Sequence, residues 1–212
     1  MNLKNQYWVF DKAIPERYCN HLIKYGNQQE DSLALTGGLS QKANKGEKLN
    51  DDEIKNLKKK RDSNVVWLDD RWIYRLIHPY IHTANKNAGW NFEWDFSEAC
   101  QFTKYKLNQY YDWHSDSWEE AYGEEEKNIY YRGKIRKLSV TCQLTDESEY
   151  VGGELEFQFR NKDNPTLTVE ATEAKKKGTI IVFPSHIWHR VKPVTSGNRY
   201  SLVIWSLGKP FI

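Results

Sequence analysis

From Glu98 to its end this chain is a succession of short segments in which apolar and polar residues alternate. That period of two constrains the fold more than any other feature, because successive side chains of a strand point to opposite faces. Leu138, Val140, Cys142 and Leu144 fall on one face of an extended segment, with Ser139, Thr141 and Gln143 on the other. Leu155, Phe157 and Phe159 alternate with Glu154, Glu156 and Gln158, and Tyr200, Leu202 and Ile204 alternate with Ser201, Val203 and Trp205. Thr179–Phe183 is a short apolar run behind Gly178. Many short strands broken by Gly, Pro and Asn turns predict a sandwich or barrel, not a chain of βαβ units.

The front of the chain reads differently. Pro15 stands at a plausible first turn of a helix that carries Tyr18, Cys19, Leu22 and Ile23 at helical spacing. A second helix is expected from an Asp69 or Asp70 cap through Trp72, Leu76, Ile77, Tyr80 and Ile81, with Pro79 predicting a kink or a break. Residues 29–63 are polar and read as a mobile loop followed by a short exposed helix. The expected architecture is mainly β with packed helices: residues 1–97 give N-terminal helical support and a mobile loop, 98–212 the β core, all within one domain.

At 212 residues the chain can bury a substantial core, and nine Trp, thirteen Tyr and eight Phe supply it. A net charge of +2 from 31 basic and 29 acidic residues is not the footprint of a nucleic-acid binder, so no nucleic-acid partner is expected. The basic run Lys58-Lys-Lys-Arg61 reads as a solvated helix end or loop. Cys19, Cys100 and Cys142 are odd in number and lack a CxxC spacing, which argues against a disulfide framework or structural zinc. No stretch has the apolar core of a signal peptide or of a membrane span, so a cytoplasmic protein without a membrane partner is expected.

The chemistry concentrates in His114-Ser-Asp116, in His189 far downstream, and in Arg199 ten residues after that. Two imidazoles and a carboxylate are the ligand set of a facial iron(II) site, and His-x-Asp places both side chains on one face of an extended segment. A fold that returns the chain must bring in the third ligand. An arginine in register with it offers a two-pronged donor to a carboxylate, which predicts a dicarboxylate co-substrate. His78 and His82 are four apart on a predicted helix but lack a nearby carboxylate, and they read as surface or packing residues. His186 and His189 both follow Phe183-Pro-Ser185, and strand geometry does not decide between them so close to a turn.

The segment Phe102-Thr-Lys-Tyr105-Lys-Leu-Asn108-Gln-Tyr-Tyr111-Asp-Trp-His114-Ser-Asp116 resembles the entry strand of the prolyl 4-hydroxylase-like iron(II)/2-oxoglutarate dioxygenases. Gly178-Thr-Ile-Ile-Val-Phe183-Pro-Ser185-His-Ile-Trp-His189-Arg-Val-Lys-Pro193-Val-Thr-Ser-Gly197-Asn-Arg199 through Trp205 is similar to the second signature block of that family. Arg136–Val140 and Tyr150–Phe157 resemble the two strands between. Relatives usually carry Gly where Asn108 stands, and Asn tolerates the left-handed backbone such a turn requires.

The resemblance implies a double-stranded β-helix (jelly roll) core with the metal at one open end. It aligns His114, Asp116 and His189 with the ligands of Fe(II), and leaves His186 to the surface or the site rim. Arg199 matches the residue that grips the distal carboxylate of 2-oxoglutarate, and Tyr105 a tyrosine that hydrogen-bonds this co-substrate. Tyr111 and Trp205 match residues near the metal, and Trp118 is expected on the wall of the site. Asp116 is a full carboxylate, as hydroxylation requires. The implied reaction hydroxylates an unactivated C–H bond, with succinate and carbon dioxide as co-products and ascorbate as a supporting cofactor. A proline-containing peptide or protein is the first expectation for the substrate. Another protein side chain, a free amino acid or a small metabolite is the alternative, and a non-catalytic metal-binding barrel the remote one. The aromatic loop 118–133 and segment 29–63 are expected to clamp an extended peptide.

Overall fold

The computed structural model describes residues 3–211 apart from 37–38, 40–41, 44–45, 118–119 and 160–165. The chain begins with β1 (Trp8–Phe10), α1 (Glu16–Asn27) and β2 (Ser32–Leu33), and continues through α2 (Asp51–Lys60), β3 (Arg61–Asp62) and β4 (Asn64–Leu68). Helix α3 (Arg71–Asn87) then leads into β5 (Phe96–Ser97), β6 (Cys100–Tyr105), β7 (Tyr110–His114) and β8 (Ile135–Gln143). The remaining strands are β9 (Tyr150–Gly152), β10 (Leu155–Phe159), β11 (Leu167–Glu170), β12 (Ile180–Pro184), β13 (Trp188–Val191), β14 (Val194–Gly197) and β15 (Arg199–Gly208).

Every strand pairing is antiparallel. The main sheet runs β1-β12-β8-β15-β6-β4-β2, with β5 also on β15, and a second sheet runs β11-β10-β13-β7-β3. The alternating pattern predicted a sandwich or barrel with packed helices, and the family resemblance a jelly roll; the mainly β fold observed agrees with both. Strands β1, β2 and β4, all before residue 98, extend the main sheet on both sides. Part of the polar segment 29–63, read as loop and helix, is therefore strand: β2 pairs with β4 and β3 with β7.

The faces of the main sheet diverge. Leu138, Val140, Cys142, Leu202 and Ile204 are fully buried in one cluster with Leu22 of α1 and Ile73, Ile77 and Ile81 of α3. Helix α3 passes through Pro79 without the expected break. Asp70 sits at its N-cap, yet its carboxylate accepts from the Tyr25 hydroxyl at 2.9 Å and caps nothing. His78 and His82 pack against Trp94, with His78 also 3.1 Å from the Ser97 hydroxyl. Helix α2 is closed by a reciprocal Asn50–Glu53 capping box, with its acidic residues in the first turn and its lysines in the last.

The other face of the main sheet looks across to the second sheet. Phe157, Ile181, Phe183 and Val191 form the apolar floor between the two. The space above that floor holds the polar residues described next.

Candidate active site

Strands β7 and β13 are neighbours in the second sheet, and their register sets His114 directly opposite His189. Asp116 lies just past the end of β7. Its amide and that of Ser117 both donate to the Ser185 carbonyl at 2.9 Å, folding this turn back onto the end of β12. One ligand atom from each of His114, Asp116 and His189 lies within 4.8 Å of the others, and all three residues are buried. The Asp116 oxygens stand 3.8 Å from His114 Nε2 and 3.6 Å from His189 Nε2. His186, by contrast, is exposed and meets the edge of the Phe211 ring.

Main-chain acceptors settle how the imidazoles are held. His114 Nδ1 lies 2.7 Å from the Asp112 carbonyl and His189 Nδ1 lies 3.0 Å from the Ile187 carbonyl. A carbonyl can only accept, so each Nδ1 carries a hydrogen and each ring is turned with Nε2 facing inward. Burial, helped by the neighbouring His189, pushes the His114 imidazole well below its usual pKa and keeps it neutral. Burial alone would raise the Asp116 carboxyl, but the facing imidazoles and the Arg136 guanidinium outweigh it and hold it below the ordinary carboxylate range. Two imidazoles oriented by main-chain carbonyls and one carboxylate fit a divalent transition metal.

The walls are aromatic. The Tyr111 ring stacks on His114 with centroids 3.4 Å apart, and Phe183 meets His189 edge-on at 4.7 Å. Burial pushes the Tyr111 phenol up to about 12 and raises that of Tyr105 as well. Trp205 is 5 % exposed and lies beneath the Arg136 guanidinium at 3.8 Å. Arg136 is itself held by a two-pronged pair with Glu98, its Nε 2.6 Å from Oε1. The Tyr122 hydroxyl donates to the same carboxylate at 2.9 Å, while Tyr130 stacks on Phe96, so these parts of the aromatic loop lie against β5 and the residue that follows it. Trp118, expected on the wall, lies outside the described residues.

Arg199 faces Tyr105 across β15 and β6. The residue is 2 % exposed, and its side chain shares the pocket with the three candidate ligands. Among the described residues no carboxylate pairs with it; its contacts are with hydroxyl groups, that of Ser201 at a long 3.4 Å and that of Tyr150. A buried cation without a counter-ion is costly, and it marks a place built for an anion.

Arg61 lines this pocket too, and the sequence reading missed it. Lys58, Lys59 and Lys60 are exposed as expected, but Arg61 is 4 % exposed, 3.1 Å from the Ser63 hydroxyl and 4.4 Å over the Tyr111 ring. The period changes at that residue, from the helix of the lysines to a strand that pairs with β7. The alternation of Arg61, Ser63 and Val65 carried the signal, and the charge run masked it. At the turn between β6 and β7, Asn108 has φ +64°, the left-handed conformation anticipated for it.

The family model described as 2OG-Fe(II) oxygenase superfamily matches residues 100–207. A PKHD-type hydroxylase of Synechococcus sp. (strain CC9605) is 37 % identical over 86 residues, which cover 41 % of this chain and 36 % of that protein. The match thus spans about a third of the relative's length. Among solved structures, a viral collagen prolyl hydroxylase from Paramecium Bursaria Chlorella virus-1, in a 2OG complex, superposes with a TM-score of 0.61 at 18 % identity, covering 97 % of each chain. A prolyl hydroxylase from Trichoplax adhaerens, in complex with a hypoxia inducible factor oxygen degradation domain peptide fragment, gives 0.64 at 15 % identity and covers 96 % of this chain and 84 % of that one. At these identities the structural likeness concerns the fold. The family model, however, runs from β6 to near the end of β15 and takes in all three converging ligands and Arg199; this chain belongs to the 2OG-Fe(II) oxygenase superfamily.

Proposed function

We propose that the protein is a 2-oxoglutarate-dependent dioxygenase that hydroxylates proline in a peptide or protein. His114, Asp116 and His189 hold Fe(II), Arg199 grips the distal carboxylate of 2-oxoglutarate, and ascorbate supports turnover. The observation that carries this reading is one pocket with three converging ligand atoms and a buried arginine without a counter-ion. When bound, iron and 2-oxoglutarate supply the oxidation that places one oxygen of dioxygen on a C–H bond, with succinate and carbon dioxide released.

The chain's own residues supply positions and exclude water. The carbonyls of Asp112 and Ile187 keep both imidazoles in the tautomer that presents Nε2. Arg199 meets a carboxylate with a rigid fork, and Arg61 adds a second buried positive charge to a pocket that takes a dianion. Tyr105 lies against Arg199 and Tyr111 against His114, so the phenols border the co-substrate and the metal. Leu155, Phe183 and Val191 keep bulk water from the inner end of the pocket. Support for a prolyl peptide comes from the PKHD-type relative and from structural neighbours named as prolyl hydroxylases, one of them solved with a peptide.

The test is to incubate the protein with Fe(II), 2-oxoglutarate, ascorbate and a panel of proline-rich peptides, with His114→Ala as control. Mass spectrometry reads added oxygen, and succinate is assayed alongside. Oxygen on proline, absent in the variant, establishes the reading. Succinate without modified peptide retains the dioxygenase and directs the search to other side chains, free amino acids or small metabolites. Neither product leaves a metal-binding module.

A further inference from the structure

Behind Arg199, on the side away from the metal, lies a group of buried polar atoms that the reaction as described does not use. Gln143, on β8, sits opposite Ser201 of β15 and is 2 % exposed. Its Nε2 donates to the Thr145 carbonyl at 3.0 Å and to the Tyr150 hydroxyl at 3.2 Å. Because the Thr145 carbonyl can only accept, the amide nitrogen must face it, and Gln143 Oε1 is left without a hydrogen-bond partner. Tyr150, the first residue of β9, is 6 % exposed. Burial raises its phenol, and Arg199 opposes that through its charge and a side-chain hydrogen bond.

Arg199 is held by shape more than by bonds. Among the described residues its Nε has no hydrogen-bond partner, Nη1 makes a long contact to Ser201, and the guanidinium bonds the Tyr150 side chain. A Cβ at Gly153 would lie 2.9 Å from Arg199 Cδ, 3.1 Å from Val194 Cγ2 and 3.4 Å from Tyr150 Cε2, so the stem passes over a glycine that leaves it just enough room. The Tyr105 ring, 5.4 Å from the guanidinium carbon, borders it as well. With few hydrogen bonds of its own, the guanidinium keeps its donors for a ligand. Its depth in the pocket then depends on what stands behind it.

We infer that Tyr150, braced by Gln143, is a positioning residue: it sets how far Arg199 reaches into the pocket, and so which length of 2-oxo dicarboxylate the protein accepts. The inference rests on Arg199 as the co-substrate anchor. Tyr150→Phe keeps the ring that packs at Gly153 and removes the oxygen between Gln143 and Arg199. Without that stop Arg199 withdraws, the distance from the metal to the anchor grows, and the five-carbon co-substrate fits less well. Gln143→Met keeps the approximate volume and leaves the tyrosine in place but unbraced.

The experiment measures calorimetric binding of 2-oxoglutarate and of its one-carbon-longer homologue 2-oxoadipate to the Fe(II)-loaded protein without oxygen. Wild type, Tyr150→Phe, Gln143→Met and Arg199→Leu are compared, with Fe(II) affinity and melting temperature measured for each. Tyr150→Phe is expected to weaken 2-oxoglutarate binding about tenfold, the scale of one hydrogen bond to a charged group, and to narrow its preference over 2-oxoadipate. Gln143→Met is expected to move both quantities in the same direction by about threefold, and neither variant to change Fe(II) affinity. A general loss of packing would lower the melting temperature without altering the length preference. If Arg199→Leu loses 2-oxoglutarate while Tyr150→Phe and Gln143→Met bind both acids like wild type, the positioning role is overturned and the anchor stands. If Arg199→Leu binds 2-oxoglutarate like wild type, the anchor fails and the inference with it.

Discussion

The two faces of the main sheet are built from the same strands and are buried to a similar degree, yet their chemistry is opposite. On the helix side, Leu138, Val140, Cys142, Leu202 and Ile204 are all 0 % exposed. On the pocket side, Ser139 at 0 %, Gln143, Arg199 and Ser201 at 2 % each and Trp205 at 5 % are withdrawn from solvent as completely. Burial alone therefore does not tell a core from a site. Apolar groups repay burial through water released from their surface, whereas buried polar groups repay it only when partnered. Among the described residues, the buried side-chain atoms without a hydrogen-bond partner, Arg199 Nε, Gln143 Oε1, Trp205 Nε1 and Ser206 Oγ, all belong to strands β8 and β15. Three of them come from residues of the pocket or of the ground just behind Arg199. The helix face makes the protein stable; the pocket face spends part of that stability on recognition.

The largest effect that separates the two is expected from Asp116→Ala. Succinate formation should fall to background and Fe(II) titration should show no site, while the metal-free protein melts near the wild-type temperature. Addition of Fe(II) should raise the melting temperature of wild type and not of this variant. An iron-dependent rise in Asp116→Ala would break the assignment of the triad.

Leu202→Ala tests the opposite face. It leaves a cavity between β15 and the helices and is expected to cost about 2–5 kcal/mol in urea unfolding. Affinity for 2-oxoglutarate in the folded protein should be unchanged. A comparable loss of affinity would mean that the faces are not separable.

A smaller effect is expected where the pocket side carries structure. Ser139 Oγ and Ser185 Oγ lie 2.9 Å apart, and the Ser185 carbonyl holds the turn that carries Asp116. Ser139→Ala should cost about 1 kcal/mol in stability and weaken Fe(II) binding slightly, as read by unfolding and metal titration. The smallest effect is expected from His186→Ala, which should keep wild-type Fe(II) affinity; loss of iron there would reverse the choice between His186 and His189.

Much of this was legible in the residues. The alternation around Leu138–Leu144 and Leu202–Ile204 is local, and so is the His114-x-Asp116 spacing; each survives being read one segment at a time. The lysines before Arg61 show where that method fails. A helical charge run ends and a strand begins at a single residue, and the partner that makes Arg61 part of the site, Tyr111, comes from a distant strand. At Pro79 the helix continues where a break was one of two expectations: packing of Ile73, Ile77 and Ile81 against the sheet carries α3 past a residue whose local preference is to kink or break it.

The sequence by itself determined the period of each segment, the turn at Asn108, the ligand types and the presence of an arginine in register with His189, because these depend on neighbours along the chain. The family resemblance already singled out His189 over His186, where strand geometry left the two open; tertiary structure alone decided that Arg61 enters the pocket and that Tyr150 and Gln143 stand behind Arg199. Those outcomes depend on which strands become neighbours and in what register. A shift of one residue in register turns a side chain from the core to the opposite face, and no residue carries that information alone.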